Sequence, residues 1–74
     1  MTTQTNQVRL TADSAIRYVH DYFAKDGETV HVTCVSSHYD EDDNHFMDVN
    51  FDRLGGSELF TVWQQADGSI YGEW

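Results

Sequence analysis

With 74 residues, the chain is shorter than a typical domain, and a domain of this size buries only about 60% of the surface its unfolded chain exposes. Thirteen Asp and Glu residues against four Lys and Arg give a formal charge of −9. That imbalance repels phosphate backbones and anionic membranes, so direct nucleic-acid binding and membrane association are excluded from the expected functions. One thin core is expected, filled by large side chains such as Phe23, Phe46, Phe51, Phe60, Trp63 and Trp74, because each aromatic buries a large area. Such a core leaves little room for the concave pocket of roughly 300 Å³ or more that an enzyme requires.

Met1 to Gln7 are polar and show no apolar periodicity, so residues 1–8 are expected to form a flexible leader to a single domain over 9–74. The leader has neither the basic start nor the apolar run of a signal peptide, and no segment approaches the length of a membrane span. Cys34 is the single cysteine, which rules out an intrachain disulfide. A reducing, cytoplasmic setting is the expectation.

Thr11 is placed to cap a helix whose apolar positions Ala12, Ala15, Ile16, Val19, Tyr22 and Phe23 follow the three- and four-residue spacing of one buried stripe. Asp13, Arg17 and Asp21 fall on its opposite face, where alternating charges four apart support a solvated surface, and Gly27 offers a C-terminal cap. The period then changes to two. In a first strand Val30, Val32 and Cys34 alternate with His31, Thr33 and Val35. In a second, His45, Met47, Val49 and Phe51 alternate with Phe46, Asp48, Asn50 and Asp52, and the second set, which carries the charge, is expected to be the wet face. Gly55-Gly56 is the expected turn to a third strand, in which Leu59, Thr61 and Trp63 alternate with Glu58, Phe60 and Val62. Asp67-Gly68 then turns into a final strand from Ser69 to Trp74. Short connections favour an α+β fold with one N-terminal helix packed on a four-stranded antiparallel β-meander.

The segment from Ser37 to Asn44 is expected to be the longest connection and is the most acidic stretch. Asp40, Asp42 and Asn44 have the spacing that opens a calcium loop, yet the sixth position, where a Gly is needed, is His45, and the twelfth, where a bidentate Glu is needed, is Phe51. No specific calcium site is expected. His38 and His45 flank the loop and read as surface residues rather than ligands, and His20 and His31 are expected to be exposed on the helix and first strand. Cys34 shares a strand face with Val30 and Val32 and reads as a small core residue. No Gly-rich phosphate loop, catalytic carboxylate pair, Ser-His-Asp arrangement or zinc motif is present, so neither a catalytic residue nor a cofactor is expected.

What remains is the carboxylate array of Asp40, Glu41, Asp42, Asp43, Asp48 and Asp52, with Glu58 expected near the same face. Such a stripe can stand in for a run of phosphates and steer a basic partner, with Tyr39 and Phe46 as rim anchors. Acidity of this degree also serves hydration alone, so the charge by itself leaves both readings open.

From Leu10 onward, the run Leu10-Thr11-Ala12-Asp13-Ser14-Ala15-Ile16, the Asp-rich hairpin, the segment Phe46 to Phe51, and Leu59 to Trp63 followed by Asp67-Gly68-Ser69-Ile70-Tyr71 resemble PepSY domains. The likeness covers most of the chain through degenerate positions. It implies a helix followed by strands and a regulator or inhibitor of a protease, with no catalytic residue to transfer; members of that family are mostly secreted or membrane-attached, a setting that this leader does not match. In size, acidity and lack of catalytic motifs the chain is also similar to phage-encoded anti-CRISPR proteins and other DNA mimics. That second likeness implies a cytoplasmic inhibitor that occupies a basic, nucleic-acid-binding protein surface.

Overall fold

The computed structural model describes residues 9–74; the leader expected at 1–8 lies outside them. Helix α1 (Ala12–Ala24) is followed by strands β1 (His31–Tyr39), β2 (His45–Arg53), β3 (Gly56–Gln64) and β4 (Ile70–Glu73). The strands form one antiparallel sheet in the order β1-β2-β3-β4. The expected α+β meander with its single helix is the architecture found.

The helix begins where its cap chemistry places it. The Thr11 Oγ1 accepts from the Ser14 N–H at 3.2 Å, and the Ser14 Oγ accepts from the Thr11 N–H at 2.9 Å. Two of the N–H groups that a helix start leaves without partners are thereby satisfied. At the other end Gly27 takes φ +73° and donates to the Ala24 carbonyl at 2.9 Å, while the Glu28 N–H reaches the Phe23 carbonyl at 3.0 Å. Positive φ is a conformation glycine adopts without a Cβ penalty.

Ala15, Val19 and Phe23 form the buried stripe of α1 and pack on Met47, Val49 and Phe51 of β2 and on Phe60 and Val62 of β3, with Leu10 and Val30 closing the cluster. Each fully buried Phe or Val contributes about 1.5–3 kcal/mol relative to exposure. Rings interlock inside this layer, with Phe23 at 5.2 Å from Phe51 and Tyr22 edge-on to Phe60 at 5.0 Å.

Three expectations are corrected. Cys34 is not a core residue. A bulge between Val32 and Cys34 inserts one extra residue, so that Val32 pairs with Phe51, Cys34 with Asn50 and Val35 with Val49. The insertion shifts the alternation by one, keeps Val35 on the helix side and turns Cys34 out, where it is exposed. The second correction concerns the aromatics. Phe23, Phe51 and Phe60 are fully buried, but Phe46 and Trp63 are only half-buried on the side of the sheet away from the helix, and Trp74 is 52% exposed. Third, the turn into β3 is Leu54-Gly55, both at positive φ, with Gly56 already paired to Arg53. Two central residues at positive φ are what a type I′ hairpin requires; Leu54, which carries a Cβ, is 87% exposed.

Candidate functional site

The hairpin joining β1 to β2 carries the acidic tip, and one of its carboxylates is turned inward. Asp40 Oδ1 accepts from the backbone N–H groups of Asp42 at 2.8 Å and Asn44 at 2.9 Å, and Asp40 Oδ2 accepts from the Asn44 side-chain amide at 3.1 Å. The Asn44 backbone and side chain, followed by the Asp42 backbone, hold the Asp40 carboxyl below the ordinary carboxylate range by stabilising its charged form. Asp43 stands at φ 63° and donates its N–H to the Asp40 carbonyl at 3.1 Å. The D-x-D-x-N spacing is therefore the chemistry of a tight turn. Glu41, Asp42 and Asp43 are left pointing to solvent. Among the described residues, no group of three or more His, Cys, Asp or Glu converges as metal ligands do.

The β3–β4 turn has the same build. Gln65 donates to the Ser69 carbonyl at 2.8 Å, Gly68 to the Gln65 carbonyl at 3.1 Å, and Asp67 Oδ1 accepts from the Ser69 hydroxyl at 2.6 Å and its N–H at 3.0 Å. The Ser69 hydroxyl, then its backbone, holds the Asp67 carboxyl low.

Asp48 and Asp52 lie on the sheet face that the helix leaves uncovered. There Asp48 sits between Ser36 of β1 and Thr61 of β3; the Thr61 hydroxyl donates to Asp48 Oδ1 at 3.1 Å, and the His38 Nε2 is 3.5 Å from Asp48 Oδ2. Asp52 pairs across with His31 and Ser57, whose hydroxyl donates to it at 3.2 Å. Phe46 is on this face as well. Tyr39 is not: it pairs with His45 on the opposite face, and the two rings stack at 4.8 Å. Glu58 likewise departs from the expected stripe. It pairs with Phe51, faces the helix side, and accepts from the Trp74 indole N–H at 3.1 Å.

Sequence reasoning missed the rest of the uncovered face. The register sets His38 opposite Phe46, Phe46 opposite Trp63, and Trp63 opposite Tyr71, which draws one planar side chain from each strand into a single row. His38 stacks on Phe46 at 5.2 Å and 25°, and Phe46 meets Trp63 at 4.5 Å and 32°. The neighbouring row is Ser36, Asp48, Thr61 and Glu73. Alternation against buried Phe60 and Val62 is the signal that puts Trp63 on this side; nothing local announces that His38 and Tyr71 line up with it.

Charge is divided between the two sides of the molecule. All four cations, Arg9, Arg17, Lys25 and Arg53, belong to α1, its flanks and the helix side of β2, together with five of the thirteen carboxylates. Arg53 is held there by an ion pair with Glu28, Nε to Oε2 at 2.6 Å without the alignment of a hydrogen bond, and its guanidinium lies over the Trp74 ring at 4.8 Å. Of the other eight, Asp67 sits in the β3–β4 turn bonded to Ser69, which lines a groove with Arg17, and the remaining seven, on the uncovered face and in the β1–β2 turn, have no Lys or Arg among them. That groove, of about 590 Å³, lies between α1 and β4, lined by Thr11, Ser14, Arg17, Tyr18, Ser69 and Ile70 among others.

No helix among the described residues is long and apolar enough to cross a membrane. Compared with known proteins, the chain matches no family model, no curated protein and no solved structure.

Proposed function

We propose that this protein is a non-enzymatic, acidic interaction protein that occupies a basic, normally nucleic-acid-binding surface of a partner protein and blocks it, as an anti-CRISPR-like or other anti-defence inhibitor would. The observation that carries the reading is the segregation of charge: seven carboxylates on the uncovered face and in the β1–β2 turn stand without a single Lys or Arg. A charge that served hydration alone has no need of this separation, whereas an array of one sign steers a partner of the other and sets the register of contact. Glu41, Asp42 and Asp43 at the tip supply charge free of structural duty.

The test is capture of partners from cells by the wild-type protein and by a Glu41→Lys/Asp42→Lys variant, which leaves the turn-closing Asp40 intact. A bound nucleic-acid-binding protein, displaced by added duplex DNA, lost steeply with salt and lost in the variant, is the expected result. Capture that persists in the variant and ignores DNA and salt overturns the reading. It would favour instead a PepSY-like regulator of a protease or another enzyme, for which the groove between α1 and the β4 edge offers a contact surface.

A further inference from the structure

We infer that the uncovered face of the sheet is a docking surface for an arginine-bearing segment of a basic partner protein, with guanidinium groups stacked over Trp63 and Tyr71 and paired with Asp48 and Glu73. The inference rests on the proposed function and deepens it, because it names the recognised side chain and moves the contact from the hairpin tip to the aromatic face.

Four strands each present one planar side chain in a single row: His38, Phe46, Trp63 and Tyr71. His38 stacks on Phe46 and Phe46 packs against Trp63, so the Trp63 end of the platform is held by its neighbours before any ligand arrives, which lowers the entropy lost on binding. The row ends on Tyr71, 48% exposed, on the short edge strand β4. A row of hydrogen-bond acceptors runs beside it. Asp48 is held in place by the Thr61 hydroxyl at 3.1 Å, and Glu73 is registered opposite Thr61 on the other side and exposed. Tyr71 and Glu73 are alternate residues of one strand, about 7 Å apart along the chain. One guanidinium can stack on the ring and hydrogen-bond the carboxylate in its own plane over such a span.

The chemistry of this face selects arginine over its alternatives. An ammonium group is a compact, strongly hydrated point charge, whereas a guanidinium is flat, weakly hydrated and forked, matching aromatic ring and carboxylate together. Aromatic rings on an open sheet also stack nucleic-acid bases, but such sites surround the rings with positive charge to hold the phosphates; here the phosphates would meet Asp48, Asp52 and Glu73. A second copy of the chain would bring the same uncompensated carboxylates against themselves, at −9 per chain. A cationic surface is complementary on both counts.

The test compares arginine and lysine homopeptides of equal length by isothermal titration against the full chain, with a single-stranded oligonucleotide as a third ligand. The arginine peptide is expected to bind about tenfold more tightly than the lysine peptide. A Trp63→Ala/Tyr71→Ala variant is expected to lose that preference while its affinity for the lysine peptide stays unchanged. Because Trp63 is half-buried, a Tyr71→Ala/Glu73→Gln variant at two exposed positions repeats the measurement with thermal unfolding as the check of the fold, and loss of the preference there supports the same face. Equal affinity for the two peptides, or a preference that survives in Tyr71→Ala/Glu73→Gln, overturns the docking face. If Glu41→Lys/Asp42→Lys then weakens both peptides alike, the acidic-partner reading stands without it. Tighter binding of the oligonucleotide than of either peptide overturns both.

Discussion

The two faces of the sheet are built from alternating residues of the same strands, yet they differ in kind. Toward the helix, Met47, Val49, Phe51, Phe60 and Val62 are buried beneath Ala15, Val19 and Phe23 in one apolar cluster. Away from the helix, half-buried Phe46 and Trp63 share their face with Asp48, Asn50, Thr61 and the exposed Leu59, and no element among the described residues covers them. Stability resides on the first face because burial there is complete. On the second face Phe46 and Trp63 pack against cross-strand neighbours, an arrangement worth about 0.2–1 kcal/mol per pair. A small domain that commits its one helix to one face leaves the other available for recognition.

Substitutions three residues apart on β3 break this contrast most directly. Phe60→Ala, on the helix side, is expected to lower the free energy of unfolding by about 3–5 kcal/mol, most of the stability of a domain this size. Trp63→Ala, on the uncovered side, is expected to cost roughly 1 kcal/mol, the scale of its cross-strand pairing. Denaturant titration of both variants checks the difference, and equal losses would mean that the outer face is as much a core as the inner one.

A subtler pair lies on β4. A Cβ placed on Gly72 would overlap the Tyr18 and Phe60 rings, which both belong to the packed layer. Gly72→Ala is therefore expected to destabilise by about 1–3 kcal/mol. Tyr71→Ala, one residue earlier and facing the other way, is expected to fall within about 0.5 kcal/mol of wild type. Thermal unfolding midpoints that moved alike for the two would contradict the one-residue change from full packing to open surface.

The smallest expected effect concerns a turn-closing carboxylate. The Asp40 carboxyl is held below its ordinary value of 3.8 by its bonds to Asn44 and Asp42. Its contribution to stability is thus present above the unfolded value and lost as pH falls through the folded one. Asp40→Asn should flatten a small part of the acid limb of stability below about pH 4. An acid titration of stability for the variant and the wild type decides it, and identical acid limbs would show that the turn-closing carboxylate contributes nothing there.

Much of the fold was legible because its determinants are local. Thr11 and Ser14 write the helix start, Gly27 its end, and the spacing of Ala15, Val19 and Phe23 its buried stripe. Strict alternation in β2 and β3 separates Met47, Val49, Phe51, Phe60 and Val62 from their wetter neighbours without reference to anything distant. In β1 the same rule failed, since Val32 and Val35 are three apart and only a bulge can bury both. A bulge is a property of the pairing with β2, so the alternation read from β1 alone puts Cys34 on the wrong face. The carboxylates of the acidic tip could be read from the chain, but not that Asp40 is occupied by its own turn.

Composition and local pattern by themselves determined the acidity of the chain, one capped helix, four strands in sequence and the inner faces of the two central strands. Those features depend on side chains a few residues apart, where backbone geometry fixes which positions share a face. Only the tertiary structure decided which distant residues stand side by side. Register across four strands brought His38, Phe46, Trp63 and Tyr71 into one row, put Tyr39 and Glu58 on the opposite face, and left the cations on the helix side. Pairing between strands is set by the packing of the whole sheet against its helix, and no single strand carries that information.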